Sequence, residues 1–216
     1  MSTVVETHPP TVPGNLVPTS SLGLDGDLLA VRHRITVEEY HRMAEVGIIG
    51  PEARVELLEG VIVEKMTKLT PHVHATDLVQ YLLVRHVPAG YFFSMGNPVT
   101  IVARDSEPEP DAMVIRGRLP DFAGRRRTPA DAALVIEVAD TIYSIDRRRI
   151  TYAAARVPVY WIVNLNEKRL EVFSNPVGEG NEASFASAQV LGPDEEGALV
   201  LDGAEVARFS VREILP

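Results

Sequence analysis

Two carboxylates stand out for where they sit in the chain. Asp111 follows the run Glu107-Pro108-Glu109-Pro110, and Glu137 lies inside the apolar run Leu134-Val135-Ile136-Glu137-Val138. An ionised carboxylate among such neighbours is costly unless positive charge meets it. A hard divalent cation is the natural partner, because such ions take oxygen ligands and keep waters, one of which can attack a phosphodiester. A lone strand glutamate that points outward from a sheet edge explains Glu137 equally well, and its pairing with Asp111 shifts the balance toward a site.

The elements that must position these groups can be read from pattern. AALVIEVAD is a nearly continuous apolar run of the kind that fills a central strand covered on both faces. DAMVIRG reads as a second strand, entered through two prolines that prevent regular ladder pairing just before Asp111. RVELLEGVIVEKM gives two short strands meeting in a turn at Glu59-Gly60. Helices are expected after Thr36, with Glu39 as capping-box partner and Gly47 as stop, and from about His74 to His86 on the spacing of Leu78, Tyr81 and Leu82. A third is expected through SIDRRRITYAAA, capped by Ser144 or Asp146 and ended by Pro158. YFFSM, PVTIVA, VYWIVNL, RLEVFSN, ASAQVL, ALVL and EVARFS read as further strands.

Composition bounds the function classes. A length of 216 residues, 45% hydrophobic and 24% charged, suits one folded domain. Residues 1–30, rich in Pro, Ser, Thr and Gly, read as a flexible N-terminal arm, and 31–216 as a single domain. There are no cysteines, which removes disulfides, thiolate metal sites and a cysteine nucleophile. No leader pattern and no apolar stretch long enough to span a bilayer is present, so a cytoplasmic protein without membrane contact is expected. The net charge of −9 disfavours broad, salt-sensitive phosphate binding, yet positive charge is bunched at Arg125-Arg126-Arg127 and Arg147-Arg148-Arg149. No G-x-S-x-G, Walker or dinucleotide fingerprint occurs.

RVELLEGVIVEKM, Pro71 with His74, SEPEPDAMVIRG, LVIEVADT with Asp146, and VPVYWIVNL together resemble, in order over residues 35–175, the Uma-type family of putative restriction endonucleases. The resemblance implies an α+β fold with a mixed sheet: a restriction-endonuclease-like PD-(D/E)xK core with flanking helices and extra C-terminal strands. It implies Asp111, Glu137 and Glu56 as catalytic, metal-binding carboxylates, with Glu59 close enough in sequence to be confused with Glu56. Mg²⁺ is the implied ion, with Mn²⁺ as a substitute, DNA the implied substrate, and a homodimer a natural arrangement for cutting two strands.

The chain departs from that pattern at the third letter of the signature. Ala139 stands two residues after Glu137, where the motif has lysine, and no lysine occurs between Lys68 and Lys168. Members of the family supply the lysine from the following helix, which here reads DRRRITYAAA, so Arg148 or Arg149 is the expected stand-in. Arginine stays protonated and can supply charge but cannot act as base. The expectation is a nuclease of reduced or restricted activity, set against a catalytically silent nuclease-fold module that binds nucleic acid or a protein. His74 is an accessory candidate near the metal or a phosphate, although a histidine that opens a helix more often caps it. Tyr152, Tyr160 and Trp161 fit core packing.

Overall fold

The computed structural model describes residues 33–140 and 145–216, with the side chains of 145–147 outside the description. The expected N-terminal arm, the Ser144 cap and the Asp146 side chain therefore lie outside the described residues. Contacts group Arg34–Pro216 into one compact unit.

Helix α1 (Val37–Glu45) starts as the sequence predicts: Thr36 N–H donates to Glu39 Oε2 at 2.8 Å, and Glu39 N–H donates to Thr36 Oγ1 at 3.2 Å. Strands β1 (Val55–Leu58) and β2 (Val61–Glu64) form an antiparallel hairpin. Its two turn residues both take positive φ, 53° at Glu59 and 73° at Gly60, which matches the right-handed twist of the flanking strands.

Helix α2 (Thr70–His86) begins four residues before the expected His74. Pro71 sits in its first turn, where a missing N–H costs nothing, so the proline opens the helix and does not delay it. Ala75, Val79, Leu82 and Leu83 form its buried stripe.

The central sheet has the order β3-β4-β5-β6-β7-β8, built from β3 (Tyr91–Met95), β4 (Ala112–Arg116), β5 (Ala132–Ala139), β6 (Val159–Asn164), β7 (Arg169–Val177) and β8 (Ser184–Leu191). Only β5 and β6 run parallel, joined through α3 (Ile145–Ala154), as parallel neighbours require a crossover. Strands β9 (Glu196–Leu201) and β10 (Ala204–Ser210) make a separate hairpin. The segment PVTIVA departs from expectation. Its Ile101 pairs only in an isolated bridge with Ser106, and Val102–Arg104 closes a 3-10 turn, because Asp105 takes a left-handed conformation that bends the chain back.

All eight residues of β5 are buried, as its unbroken apolar run demands. Alternation along the strands splits the core in two. Leu134 and Ile136 pack with the α2 stripe, Trp161, Leu199 and Phe209 on one face. Val135 and Ala139 pack with Tyr152, Tyr160, Met113 and Ile115 on the other. Glu137 belongs to the second face, under α3.

Candidate active site

The register places the two strand carboxylates side by side. Ala112 pairs with Ile136 across the antiparallel β4–β5 ladder, so one step outward Asp111 lies opposite Glu137. Both are buried, Asp111 at 5% and Glu137 at 8% exposure. Val138 N–H donates to Asp111 Oδ2 at 2.8 Å, a bond made possible because the Pro110 ring precludes regular pairing before Asp111. The β1–β2 hairpin brings Glu56, also buried, to the same cleft. Its Oε2 accepts the Glu109 N–H at 3.2 Å.

Two cations and an imidazole meet these acids. Arg148, on the first turns of α3, spans two of them: Nη1 donates to Glu137 Oε1 at 2.8 Å, and Nη2 pairs with Glu56 Oε1. Among the described residues its buried Nε has no hydrogen-bond partner. Lys68, in the extended segment before α2, places Nζ 2.6 Å from Asp111 Oδ1. His72, in the first turn of α2, approaches the same oxygen at 3.0 Å through Nε2, with Asp140 Oδ2 3.9 Å from its Nδ1. Lys65 pairs with Glu109 at 2.7 Å. The cleft these groups line has a volume of about 460 Å³.

Electrostatically the two carboxylates diverge. Burial pushes the Glu137 carboxyl up to about 7, and the nearby Asp111 and Glu56 charges add to the rise against the pull of Arg148 and the Tyr152 hydroxyl. Tyr152 donates to Glu137 Oε1 at 3.1 Å. Burial also pushes Asp111 upward, but the hydrogen bond and charge of His72, with Lys68, outweigh it and leave the carboxyl below its usual range. A pair of adjacent acids driven in opposite directions marks a functional site more than a structural one.

The sequence-predicted residues are thus partly gathered. Asp111, Glu137, Glu56 and Arg148 line one cleft. Arg149 lies elsewhere, its guanidinium 5.2 Å from the Phe173 ring. His74 is exposed on α2, and its neighbour His72 is the histidine that reaches the acids. Glu59 pairs with Arg104 and Arg34 outside the cleft. Lys68 and His72 were missed by reasoning from sequence. The family pattern puts the lysine after Glu137, and nothing in the spacing shows that the segment before α2 folds over Asp111.

Oxygen donors dominate the cleft, which suits a hard cation. Among the described residues, however, no three His, Asp or Glu side chains stand close enough together to hold a metal ion, since the Arg148 guanidinium joins Glu56 to Glu137.

The Uma2 family model, described as "Putative restriction endonuclease", matches residues 37–203. The fold is similar to a crystal structure of "a putative nuclease" from Anabaena variabilis, with a TM-score of 0.63 and 16% identity over 83% of this chain and 97% of that one. No curated protein matches the sequence. A mixed α+β core with paired acids at the β4–β5 edge and a family match across most of its length together lead to one conclusion: the chain belongs to the Uma2 family of putative restriction endonucleases.

Proposed function

We propose that this protein is a divalent-metal-dependent nuclease of the PD-(D/E)xK type that hydrolyses phosphodiester bonds in DNA. The observation that carries the reading is the cross-strand pair Asp111 and Glu137, buried at the floor of an open cleft and oriented by Val138 N–H, His72, Tyr152 and Arg148. Asp111 and Glu137 would hold the ion, Mg²⁺ or Mn²⁺, with Glu56 acting at one remove through Arg148 or water. When bound, the ion polarises the phosphate and makes an attacking water more acidic.

The chain's own groups have separable tasks. Val138 N–H and His72 fix the direction of the Asp111 carboxylate. Tyr152 and Arg148 both hold Glu137 by Oε1. Arg148, paired with two buried carboxylates, supplies charge without accepting a proton. In the reaction a water oxygen bonds to phosphorus, the P–O ester bond breaks, a water proton passes to solvent and the leaving oxygen gains one. Cutting both strands of a duplex calls for two such sites, so a homodimer belongs to this reading, as does action in the cytoplasm. No helix among the described residues is long and apolar enough to cross a membrane.

A second reading, a catalytically silent module that binds nucleic acid or protein, is favoured by one observation: the Arg148 guanidinium pairs with both Glu56 and Glu137. The separating experiment is cleavage of plasmid and single-stranded DNA with Mg²⁺ or Mn²⁺, comparing wild type with Asp111→Ala and Glu137→Ala. Metal-dependent cutting that both substitutions abolish supports the nuclease. No cutting across these substrates, with metal-free binding of DNA intact, supports the silent module.

A further inference from the structure

We infer that Lys68 is a catalytic residue of this cleft, reaching the scissile phosphate from the segment before α2 and supplying the lysine that the strand carrying Glu137 lacks. The inference rests on the nuclease reading above.

Three long cationic side chains line the cleft, Lys65, Lys68 and Arg148. Arg148 is committed to Glu137 and Glu56 and its side chain is only 13% exposed. Lys65 is paired with Glu109, on the approach to the cleft. Lys68 differs from both. Its side chain is 46% exposed while its partner Asp111 is 6% exposed, so the ammonium bridges the buried acid and open solvent. One of its three N–H donors meets Asp111 Oδ1, leaving donors for a ligand on the solvent side.

Lys68 is not needed to aim Asp111. Val138 N–H and His72 already hold both oxygens of that carboxylate, at 2.8 and 3.0 Å. A half-exposed ion pair of this kind contributes at most about 1 kcal/mol to stability. What its position adds is chemical: a compact, rotatable ammonium on a flexible stem, beside an acid proposed to hold the ion. Charge accumulates on the non-bridging phosphate oxygens as the P–O bonds exchange, and a donor placed there stabilises the transition state more than the ground state. The motif position, Ala139, is fully built into the second core and offers no such group.

The absence of cysteine from the chain makes a direct test available. Lys68→Cys introduces a unique thiol, which 2-bromoethylamine converts to an aminoethyl thioether of lysine's length, and iodoacetamide converts to a neutral amide. With Mg²⁺ saturating and plasmid as substrate, the unmodified variant is expected to lose about 100-fold or more in kcat, the usual consequence of deleting one transition-state donor. Aminoethylation is expected to recover at least about tenfold of that loss, and carboxamidomethylation none.

Recovery by both reagents, or activity of Lys68→Cys within about threefold of wild type while Glu137→Ala is dead, overturns the role of Lys68 and leaves the nuclease intact. A Lys68→Cys defect confined to the Mg²⁺ concentration needed for half-maximal rate, with kcat at saturation unchanged, reduces Lys68 to positioning Asp111, and overturns it too. A wild type that cuts nothing overturns the nuclease reading and takes this inference with it.

Discussion

Val138 N–H donates to Asp111 Oδ2 at 2.8 Å, so the strand that carries the second acid also aims the first. The two carboxylates therefore share one rigid support, and the bond has a measurable consequence. Asp111→Ala strands a buried N–H, which costs about 1–3 kcal/mol. Asp111→Asn keeps an oxygen for that N–H and should cost less, while still removing the charge that a cation needs. Chemical denaturation should rank wild type, then Asn, then Ala, and calorimetric Mg²⁺ titration should show the Asn variant weakened at least about tenfold. Equal stability of the two variants would show that the Val138 bond is not what orients the site.

Arg148 joins Glu137 and Glu56, and both acids are buried. Arg148→Met leaves two buried carboxylates without their cation and should cost about 3–5 kcal/mol. Arg148→Lys provides a point charge in place of the fork, so it can serve one acid well but not both, and should fall between. The informative readout is the melting temperature with and without Mg²⁺. The ion should raise Tm more in Arg148→Met than in wild type, because it replaces the missing charge. An identical Mg²⁺ shift in both proteins would show that no cation competes with Arg148 for this place.

How far this arrangement could be read from residues alone differs by element. The β5 run AALVIEVAD, the capping box at Thr36 and Glu39, and the Glu59-Gly60 turn were legible because each depends on local pattern, and the structure has all three. The mixed α+β architecture followed from the family resemblance and is the architecture observed. PVTIVA is not the expected strand because its apolar content signals burial only, and Val99 and Ile101 are buried without a ladder. Lys68 and His72 were illegible for a different reason. They lie 43 and 39 positions from Asp111, and only the path of the chain into α2 brings them there. His74 carried the sequence signal, but helical geometry turns it to solvent two positions beyond His72.

The Glu59-Gly60 turn positions the hairpin that delivers Glu56. Gly60 has φ 73°, and a Cβ there would lie 2.7 Å from Arg34 Cβ. Gly60→Ala therefore combines a left-handed strain with a clash against a neighbouring chain segment. A loss of about 1–3 kcal/mol is expected. If the hairpin also shifts, cleavage should fall in the same variant, whereas Gly90→Ala, also at positive φ but with open space around it, should keep full activity. Unchanged denaturation of Gly60→Ala would mean the turn relaxes freely and does not fix Glu56.

Glu137 predicts an unusual pH profile for the metal-free protein. Its carboxyl, at about 7 in the fold against an ordinary 4.5, binds its proton more tightly folded than unfolded. Between pH 4.5 and 7 the folded state therefore holds more protons, and stability falls as pH rises through that window, then levels off. Asp111 runs the other way: its lowered value gives stability that is present above about 3.8 and is lost as pH falls through the folded value. In chelator, Glu137→Gln removes the first effect only. Its stability relative to wild type should climb from pH 4.5 to 7 by an amount on the order of 3 kcal/mol, read by urea denaturation at a series of pH values. Saturating Mg²⁺ should reverse the wild-type slope, since the ion binds the ionised acid and gains affinity as the proton leaves. Parallel curves for the two proteins in chelator would mean that Arg148 keeps Glu137 ionised throughout, and the acid would then meet a metal ion already charged.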